Sequence, residues 1–325
     1  MTSLDTTRAA SSSDVDPASG FDPYFDPEDA DLVRKAKKDL KLEKSFVYTY
    51  TERDVALYNM GIGASVEELQ WIFDGHEEFA AIPTMAAVPA IPACRSLEAY
   101  YLPDFDPGKV LHAEQYISLK YPIPTSGSWI HRSTLMQVLD KGKSTVMSTH
   151  VEATDSDSGK VICESVVSVV VRGVGGFGGR IKSKLSGPAF APNDPPKRKP
   201  DAVVEEKTLP SQAVLYRLSG DTNPLHILPG AAAKAGFKKP ILHGLCTMGF
   251  SAKHILKTFG NFKDIKVRFS GIVYPGETLV TEMWKEGNRV IFVTKVKERN
   301  AIALNAAAVT LGTPGAENST IGAKL

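Results

Sequence analysis

Three side chains that can hold or move protons lie close together in the stretch "LSGDTNPLHILPG": the acid Asp221, the amide Asn223 and the imidazole His226. An acid and an imidazole at this spacing can hold one water molecule between them and share its protons as general base and general acid. A turn explains the same residues, because Asn223 before Pro224 is a good N-cap for a short helix and Asp221 can close an Asx-turn. Three polar groups that converge on apolar neighbours must pair when they are buried, which favours chemistry.

A second motif, "PILHGLCTMG", follows within the same part of the chain. Gly244 opens an apolar helix, so its N–H lies at the positive end of the helix dipole and can stabilise a developing oxyanion. Glycine also leaves no side chain to block an approaching carbonyl, although a simple turn would use glycine too. A metal site built from Asp221, His226, His243 and Cys246 lacks recognisable zinc spacing. We therefore expect no metal and no cofactor.

The elements that must position these residues follow from hydrophobic periodicity. Leu245, Met248, Ala252 and Ile255 recur at helical spacing, which predicts a helix from Gly244 to about Phe259. Alternating segments follow, "IKVRFSGIVYPGETLVTEMW" and "NAIALNAAAVTLG", and they predict antiparallel strands. The earlier segments "AEQYISLKYPIPTSGSW" and "VICESVVSVVVRG" repeat this pattern, so the sequence predicts a helix wrapped by a curved sheet twice, side by side.

Composition divides the 325-residue chain and excludes several functions. We expect an acidic, disordered extension over 1–40, a first repeat over 41–180, a linker over 181–204, a second repeat over 205–313 and a flexible tail over 314–325. A net charge of +1 argues against nucleic-acid binding, and no apolar run approaches the ~20 residues of a membrane span. Three widely spaced cysteines fit free thiols.

Several motifs in order resemble the enoyl-CoA hydratase 2 family of MaoC-like hydratases, found also as a domain of peroxisomal multifunctional enzyme type 2. They are "YTERDVALYNMGIGAS", "VLHAEQYISLKYPIPTSG" and "VLDKGK" in the first half, and "YRLSGDTNPLH", "GFKKPILHGLCTMG" and "VRFSGIVYPGETLVTEMWKEGNRV" in the second. The resemblance covers the chain from about Phe46 to Gly312. It implies an α+β double hot-dog fold in which each half is a long helix wrapped by an antiparallel sheet.

The resemblance also implies the chemistry, which is reversible addition of water to trans-2-enoyl-CoA to give (3R)-3-hydroxyacyl-CoA in fatty acid β-oxidation. Only the second half keeps the catalytic motif, so one active site per chain is expected. Asp221 and His226 would act as acid and base and Asn223 would orient the water, while the Gly244 N–H would stabilise the enolate-like thioester oxygen. The first half would accommodate the acyl chain, and the proline-rich "AAIPTMAAVPAIP" would shape that cavity.

Substrate contacts carry over residue by residue from the resemblance. They fall on His112, Ala113, Lys141, Pro224, Leu225, His243 and Phe269. Two positions depart from the family's pattern: Ala113 replaces a glycine, which puts close backbone approach in doubt, and Leu228 replaces an acid after His226.

Partners and location form the last group of expectations. The final residues Ala323, Lys324 and Leu325 resemble a peroxisomal targeting signal read by an import receptor, which predicts the peroxisomal matrix. A homodimer and a stand-alone enzyme are expected. Two alternatives remain open: a hot-dog acyl-CoA thioesterase, and a non-catalytic module that binds acyl-CoA.

Overall fold

The computed structural model describes residues 45–98, 102 and 105–315. The N-terminal extension predicted over 1–40 and the targeting tripeptide at the C-terminus lie outside these residues. Ten strands and six α-helices, numbered in chain order, build the described part. The strands are β1 Ser45–Tyr50, β2 Val110–Leu119, β3 Gly127–Asp140, β4 Ser144–Asp155, β5 Val161–Arg172, β6 Ala202–Lys207, β7 Phe262–Phe269, β8 Thr278–Glu286, β9 Arg289–Val296 and β10 Ala301–Leu311. The helices are α1 Glu52–Gly61, α2 Leu69–Ile72, α3 Ala87–Glu98, α4 Gln212–Tyr216, α5 Pro229–Lys234 and α6 Gly244–Phe259.

The strands form one antiparallel sheet in the order β1-β3-β4-β5-β2-β7-β10-β9-β8-β6. Five strands come from each half of the chain. The halves join where β2 pairs with β7, in a register that runs from Glu114 opposite Arg268 to Ser118 opposite Asp264. This pairing places the first half directly beside the elements that carry the second-half motif.

Each half wraps its strands around one main helix. Helix α3 packs on β3, β4 and β5, and α6 packs on β7, β8 and β10. Helix α6 has the bounds that its hydrophobic spacing predicts, and its residues from Leu245 to Ile255 are buried. The predicted α+β double hot-dog architecture is confirmed.

The two main helices differ in length and regularity. Helix α6 has 16 residues, whereas α3 has 12 and contains Pro92 in its interior. Proline has no N–H to donate to the preceding turn, so Pro92 normally disfavours a helix at this place. Packing against three strands compensates, because tertiary contacts outweigh local propensity.

Strand β6 begins at Ala202, inside the range 181–204 that was predicted as a linker. The prediction was wrong for residues 202–204, since Ala202 pairs with Met283 and Val204 with Thr281 at the edge of the sheet. The alternation of half-buried and exposed side chains in "AVVEEK" is the sequence signal of this edge strand.

The core has a large cluster around α6 and a smaller one beneath α3. Cys94, Cys163 and Cys246 are buried free thiols, as the sequence predicts. Within the described ranges, no helix has the length and apolar character needed to cross a membrane.

Candidate active site

A sharp backbone turn places Asp221 at the site. Gly220, which precedes it, has φ +133°, a conformation that side-chain-bearing residues rarely adopt. A Cβ at Gly220 would also lie 3.2 Å from Cγ1 of Val88 on helix α3. Glycine therefore lets the Asp221 turn of the second half approach the helix of the first half.

The polar residues after the turn also act as caps. Asn223 Oδ1 accepts the N–H of Leu225 at 3.0 Å, at the start of the 3₁₀ helix Pro224–His226. Asp221 Oδ1 accepts the N–H of Asn223 at 3.2 Å. The predicted N-cap and Asx-turn are confirmed, and the same short turn fixes the direction from which His226 enters the interior.

His226 is held in one tautomer. Its side chain is only 9% exposed, and Nδ1 lies 2.8 Å from the carbonyl oxygen of Ile241. A carbonyl can only accept, so Nδ1 carries the proton and Nε2 keeps its lone pair. Burial lowers the pKa of His226, although the Ile241 carbonyl and the charge of Asp221 oppose this shift. The neutral imidazole is consequently favoured near pH 7.

His243 forms the support beneath His226. The two rings stack with their centroids 3.6 Å apart and their planes 27° from parallel. His243 Nε2 donates to the backbone carbonyl of Asp221 at 3.3 Å. Burial, and then the neighbouring His226, hold the pKa of His243 well below its usual value. The stack therefore links the Asp221 turn to the start of helix α6.

Side-chain ligand atoms of Asp221, His226 and His243 lie within 4.8 Å of one another, close enough to be considered as metal ligands. Zinc bound to histidine lies about 2.0–2.1 Å from nitrogen and in the plane of each ring. Two rings stacked at 3.6 Å direct their lone pairs along nearly parallel planes instead of at a common point. The fourth residue considered, Cys246, donates its thiol to the Gly61 carbonyl oxygen and not to this cluster. The residues therefore suit proton transfer better than metal binding.

Gly244 begins helix α6 beneath an aromatic ring. A Cβ at this position would lie 2.8 Å from Cδ1 of Phe269, so glycine is required for the observed packing. On its other side, Phe269 packs against His112 of strand β2, with ring centroids 4.7 Å apart. Burial lowers the pKa of His112 to about 4, while the Glu114 carbonyl and the charge of Asp221 oppose that change. His112 and Phe269 thus lie next to Gly244, and their contact with substrate stays a prediction.

The other predicted substrate-contact residues are Ala113, Pro224, Leu225 and Lys141. Ala113 is half-buried at a β-bulge between His112 and Glu114. Pro224 is exposed and Leu225 is half-buried, both in the 3₁₀ helix Pro224–His226. Lys141 is exposed in the turn between β3 and β4, where its ammonium donates to the Ile181 carbonyl. The structure does not bring Lys141 to the acid–imidazole pair.

A small cavity of about 10 Å³ lies beside Asp221, between helix α3 of the first half and residues of the second half. Its lining residues are Val88, Ile91, Pro92, Tyr216, Ser219, Gly220, Asp221 and Leu245. Val88, Ile91 and Pro92 of the proline-rich segment line this cavity, and their contact with an acyl chain stays a prediction. Tyr216, Ser219, Leu245 and the carbonyl of Ile241 were not predicted, because their positions depend on packing between the halves.

Two protein-family models match the chain. The model described as the MFE-2 hydratase 2 N-terminal domain matches residues 48–173, and the model described as a MaoC like domain matches residues 191–307. Together they cover both repeats of the fold.

Comparisons with individual proteins agree with these family models. The chain is 43% identical over 281 residues to "Enoyl-CoA hydratase 2, peroxisomal" of Arabidopsis thaliana, covering 79% of this chain and 89% of the relative. It is 47% identical over 272 residues to "Peroxisomal hydratase-dehydrogenase-epimerase" of Neurospora crassa, covering 82% of this chain but 30% of that longer protein. The crystal structure of a MaoC-like dehydratase from Phytophthora capsici superposes with a TM-score of 0.74 at 35% identity, covering 83% of this chain and 95% of that one.

Proposed function

The chain belongs to the enoyl-CoA hydratase 2 family of MaoC-like proteins, and we propose that it adds water to trans-2-enoyl-CoA to form (3R)-3-hydroxyacyl-CoA. The observation that carries the proposal is that side-chain atoms of Asp221 and the single-tautomer His226 lie within 4.8 Å of each other, and that Asp221 lines a cavity between the halves. We further propose that the repeat over 41–180 accommodates the acyl chain and that the repeat over 205–313 carries the chemistry.

Water addition needs a proton acceptor and a proton donor on the same side of the double bond. The Asp221 carboxyl group and Nε2 of His226 hold one water molecule between them. One group accepts a proton as the water oxygen bonds to C3, and a proton from the pair reaches C2. The water molecule is thereby added in full, and transfer from a single side gives syn addition. Asn223 orients the water through its side-chain NH₂ group, since its Oδ1 atom already caps the 3₁₀ helix.

The thioester carbonyl is polarised from the opposite end of the reacting system. As C3 is attacked, negative charge develops on the thioester oxygen. The N–H of Gly244 lies at the positive end of a 16-residue helix and can donate to that oxygen. One such donor typically contributes about 3–4 kcal/mol to transition-state stabilisation. Phe269 covers this position and excludes water from it.

We propose that the acyl chain lies along helix α3, beside Asp221. The cavity there has a volume of about 10 Å³, room for one water molecule, so the α3 segment has to shift to admit the chain. Val88, Ile91 and Pro92 present apolar surface there, which suits a hydrocarbon chain. This arrangement gives the first repeat a role in binding while the second repeat supplies every proposed catalytic group.

The proposal is tested by incubating the protein with trans-2-decenoyl-CoA and following the enoyl-thioester absorbance. The product is then resolved by chirality. We expect the 3R alcohol. Release of free coenzyme A and decenoic acid would instead identify a thioesterase, and binding without turnover would identify a non-catalytic module.

We propose a peroxisomal location, which is supported by the names of relatives in several organisms. Import through a receptor that reads Ala323, Lys324 and Leu325 remains a prediction. Expression of a fluorescent fusion with and without these three residues tests it: loss of punctate peroxisomal signal on deletion is expected, and an unchanged distribution would contradict it.

We also propose a homodimer. The sheet ends in two edge strands, β1 and β6, and both expose apolar side chains, at Val47 (58%) and Val203 (51%). Unprotected edges of this kind favour association. Light scattering coupled to size-exclusion chromatography should give twice the 35.1 kDa chain mass, and a monomeric mass at micromolar concentration would refute the dimer.

A further inference from the structure

Two aromatic side chains in the interior of the first half hold polar atoms without hydrogen-bond partners. They are Nε1 of Trp129 and both ring nitrogens of His131, which no described residue hydrogen-bonds. Each of the two residues is only 1% exposed, and their ring centroids lie 6.0 Å apart. Buried polar groups without partners are rare because each costs free energy. The pair is therefore suited to a ligand group that supplies the missing hydrogen bonds.

The hydrogen-bonding capacity of His131 follows from its surroundings. Burial lowers the pKa of its ring to about 4, and the carbonyl groups of Phe46 and Trp129 oppose this shift. Neither carbonyl completes a hydrogen bond with the ring, which packs against the Phe46 ring at a centroid distance of 6.0 Å. The imidazole is consequently neutral near pH 7, so one of its nitrogens can donate and the other can accept.

Neighbouring polar side chains on the same face of the sheet are paired. The Tyr50 hydroxyl, whose ring packs against Trp129, donates to a backbone carbonyl at 2.9 Å. The Ser133 hydroxyl donates to the Ala93 carbonyl of helix α3 at 3.0 Å. Side chains two residues apart in a strand point to the same face, so Trp129, His131 and Ser133 all face α3. The unpaired atoms thus lie between strand β3 and helix α3.

Helix α3 presents small side chains in this region. Ala87, Ala90 and Ala93 recur every three residues and are buried. Ile91 in the same helix packs against both core clusters and also lines the cavity beside Asp221. A chain that starts beside Asp221 and displaces α3 can therefore pass Ile91 and enter the space above β3. The alanines keep the required displacement of the helix small, because they occupy little of that space.

We propose that Trp129 and His131 bind a hydroxyl group at the far end of the acyl chain, which makes ω-hydroxylated trans-2-enoyl thioesters a substrate class of the protein. The inference rests on the proposed function, which places the acyl chain along α3. The indole N–H can donate to the hydroxyl oxygen, and the imidazole can accept the hydroxyl proton. A methyl end leaves both side chains unpaired, and a carboxylate would be a buried charge beside two uncharged groups. A hydroxyl group is therefore the end that this pair fits.

The test measures kcat/KM for two series of trans-2-enoyl-CoA thioesters, one with a methyl end and one with an ω-hydroxyl end. Chain length runs in both series from decenoyl to hexadecenoyl. The reacting atoms are identical, so the ratio of the two kcat/KM values reports on the end of the chain. We expect the wild type to prefer the ω-hydroxyl thioester about tenfold at the chain length that reaches the pair, and to show little preference at shorter lengths.

Trp129→Phe and His131→Phe each remove the polar atoms and keep an aromatic ring in place. Each variant should lower the ratio at that chain length about 3- to 10-fold, while kcat/KM for the methyl-ended thioester stays within about threefold. Trp284→Phe is the matched control, because Trp284 is 5% exposed but its Nε1 already donates to the Arg198 carbonyl at 2.8 Å. This control should keep the wild-type ratio.

Calorimetric binding of the corresponding saturated acyl-CoA thioesters, which cannot be hydrated, separates this inference from the proposed function. Tighter binding of the ω-hydroxyl thioester to the wild type and the control, and not to Trp129→Phe or His131→Phe, supports the pair whether or not hydration is observed. An equal preference in all four proteins overturns it, as does a wild type that never prefers the ω-hydroxyl end. A loss that is equal for both chain ends would also overturn it, because it would show that the two side chains only pack.

Discussion

The proposed role of His226 depends on the two contacts that fix its ring. Hydrogen bonding to Ile241 selects the tautomer, and stacking on His243 selects the orientation. The residue types in "DTNPLH" predict acid–base chemistry, and their spacing equally predicts a capped turn. The two predictions are compatible, because the helix cap uses only the Oδ1 atom of Asn223. The contribution of His243 as a stacked support could not be predicted, because it depends on how the turn meets the start of α6.

Substitution of Gly244 tests the first residue of that helix. In Gly244→Ala the new methyl group would lie 2.8 Å from Phe269, so the ring or the helix start must shift. We expect kcat to fall about 10²-fold as the N–H moves away from the thioester oxygen. Unfolding free energy should fall by about 1–3 kcal/mol. Steady-state kinetics and urea unfolding measure the two effects.

Gly230→Ala is the matched control for that substitution. Gly230 lies within helix α5, and nothing lies within 4 Å of an added Cβ. Alanine there should leave kcat unchanged and raise stability by up to about 1 kcal/mol. A Gly244→Ala enzyme that matched Gly230→Ala in rate would remove the oxyanion role.

The buried histidines predict how stability depends on pH. Burial lowers the pKa of His131 to about 4, so between pH 6.5 and about 4 the unfolded chain binds a proton that the native protein does not. Stability from this group is present above pH 6.5 and is lost as pH falls through that window. His131→Gln should therefore reduce the loss of unfolding free energy between pH 7 and pH 5 by up to about 2 kcal/mol. Urea unfolding at both values measures it, and identical losses in both proteins would contradict the shift.

At the scale of elements, periodicity predicts α6 but not α3. Leu245, Met248, Ala252 and Ile255 form one apolar face, and the helix begins and ends where this face does. In α3, Pro89 and Pro92 interrupt the same kind of apolar segment and obscure the helix. Only its packing against the strands of the first half, which sequence does not show, decides its conformation.

Helix α6 also carries a buried cation that contacts both halves. The Lys253 side chain is 2% exposed, and its ammonium donates to Glu206 Oε1 at 2.8 Å and to the Gly63 carbonyl. In Lys253→Met the partly buried Glu206 loses this partner. We expect unfolding free energy to fall by about 3–5 kcal/mol, measured by urea unfolding at pH 7.

The control for Lys253→Met is an exposed ion pair in the second half. Lys297 and Glu205 are 58% and 45% exposed. Lys297→Met should change stability by less than about 1 kcal/mol. Similar costs for Lys253→Met and Lys297→Met would show that burial does not increase the contribution of the Lys253 pairs.

At the scale of the whole molecule, the candidate active site is built from both halves. The cavity wall comes from α3 in the first half, whereas Asp221 and His226 come from the second. The repeated strand patterns predict two similar halves, but not that β2 and β7 pair to make one ten-stranded sheet. This pairing joins segments that are more than a hundred residues apart, so no local pattern could specify its register. It places His112 against Phe269 and thereby completes the site.

The measurement that tests the central claim most directly is the rate of trans-2-decenoyl-CoA hydration by Asp221→Asn, His226→Gln and the double variant. Each single variant should lose at least about 10²-fold in kcat, and the double variant should lose little more because both groups act on one water molecule. Thr222→Val, which changes the exposed neighbour, should retain the wild-type rate. Urea midpoints close to that of the wild type would confirm that the variants fold. Folded Asp221→Asn and His226→Gln proteins that hydrate the substrate at nearly the wild-type rate would contradict the account.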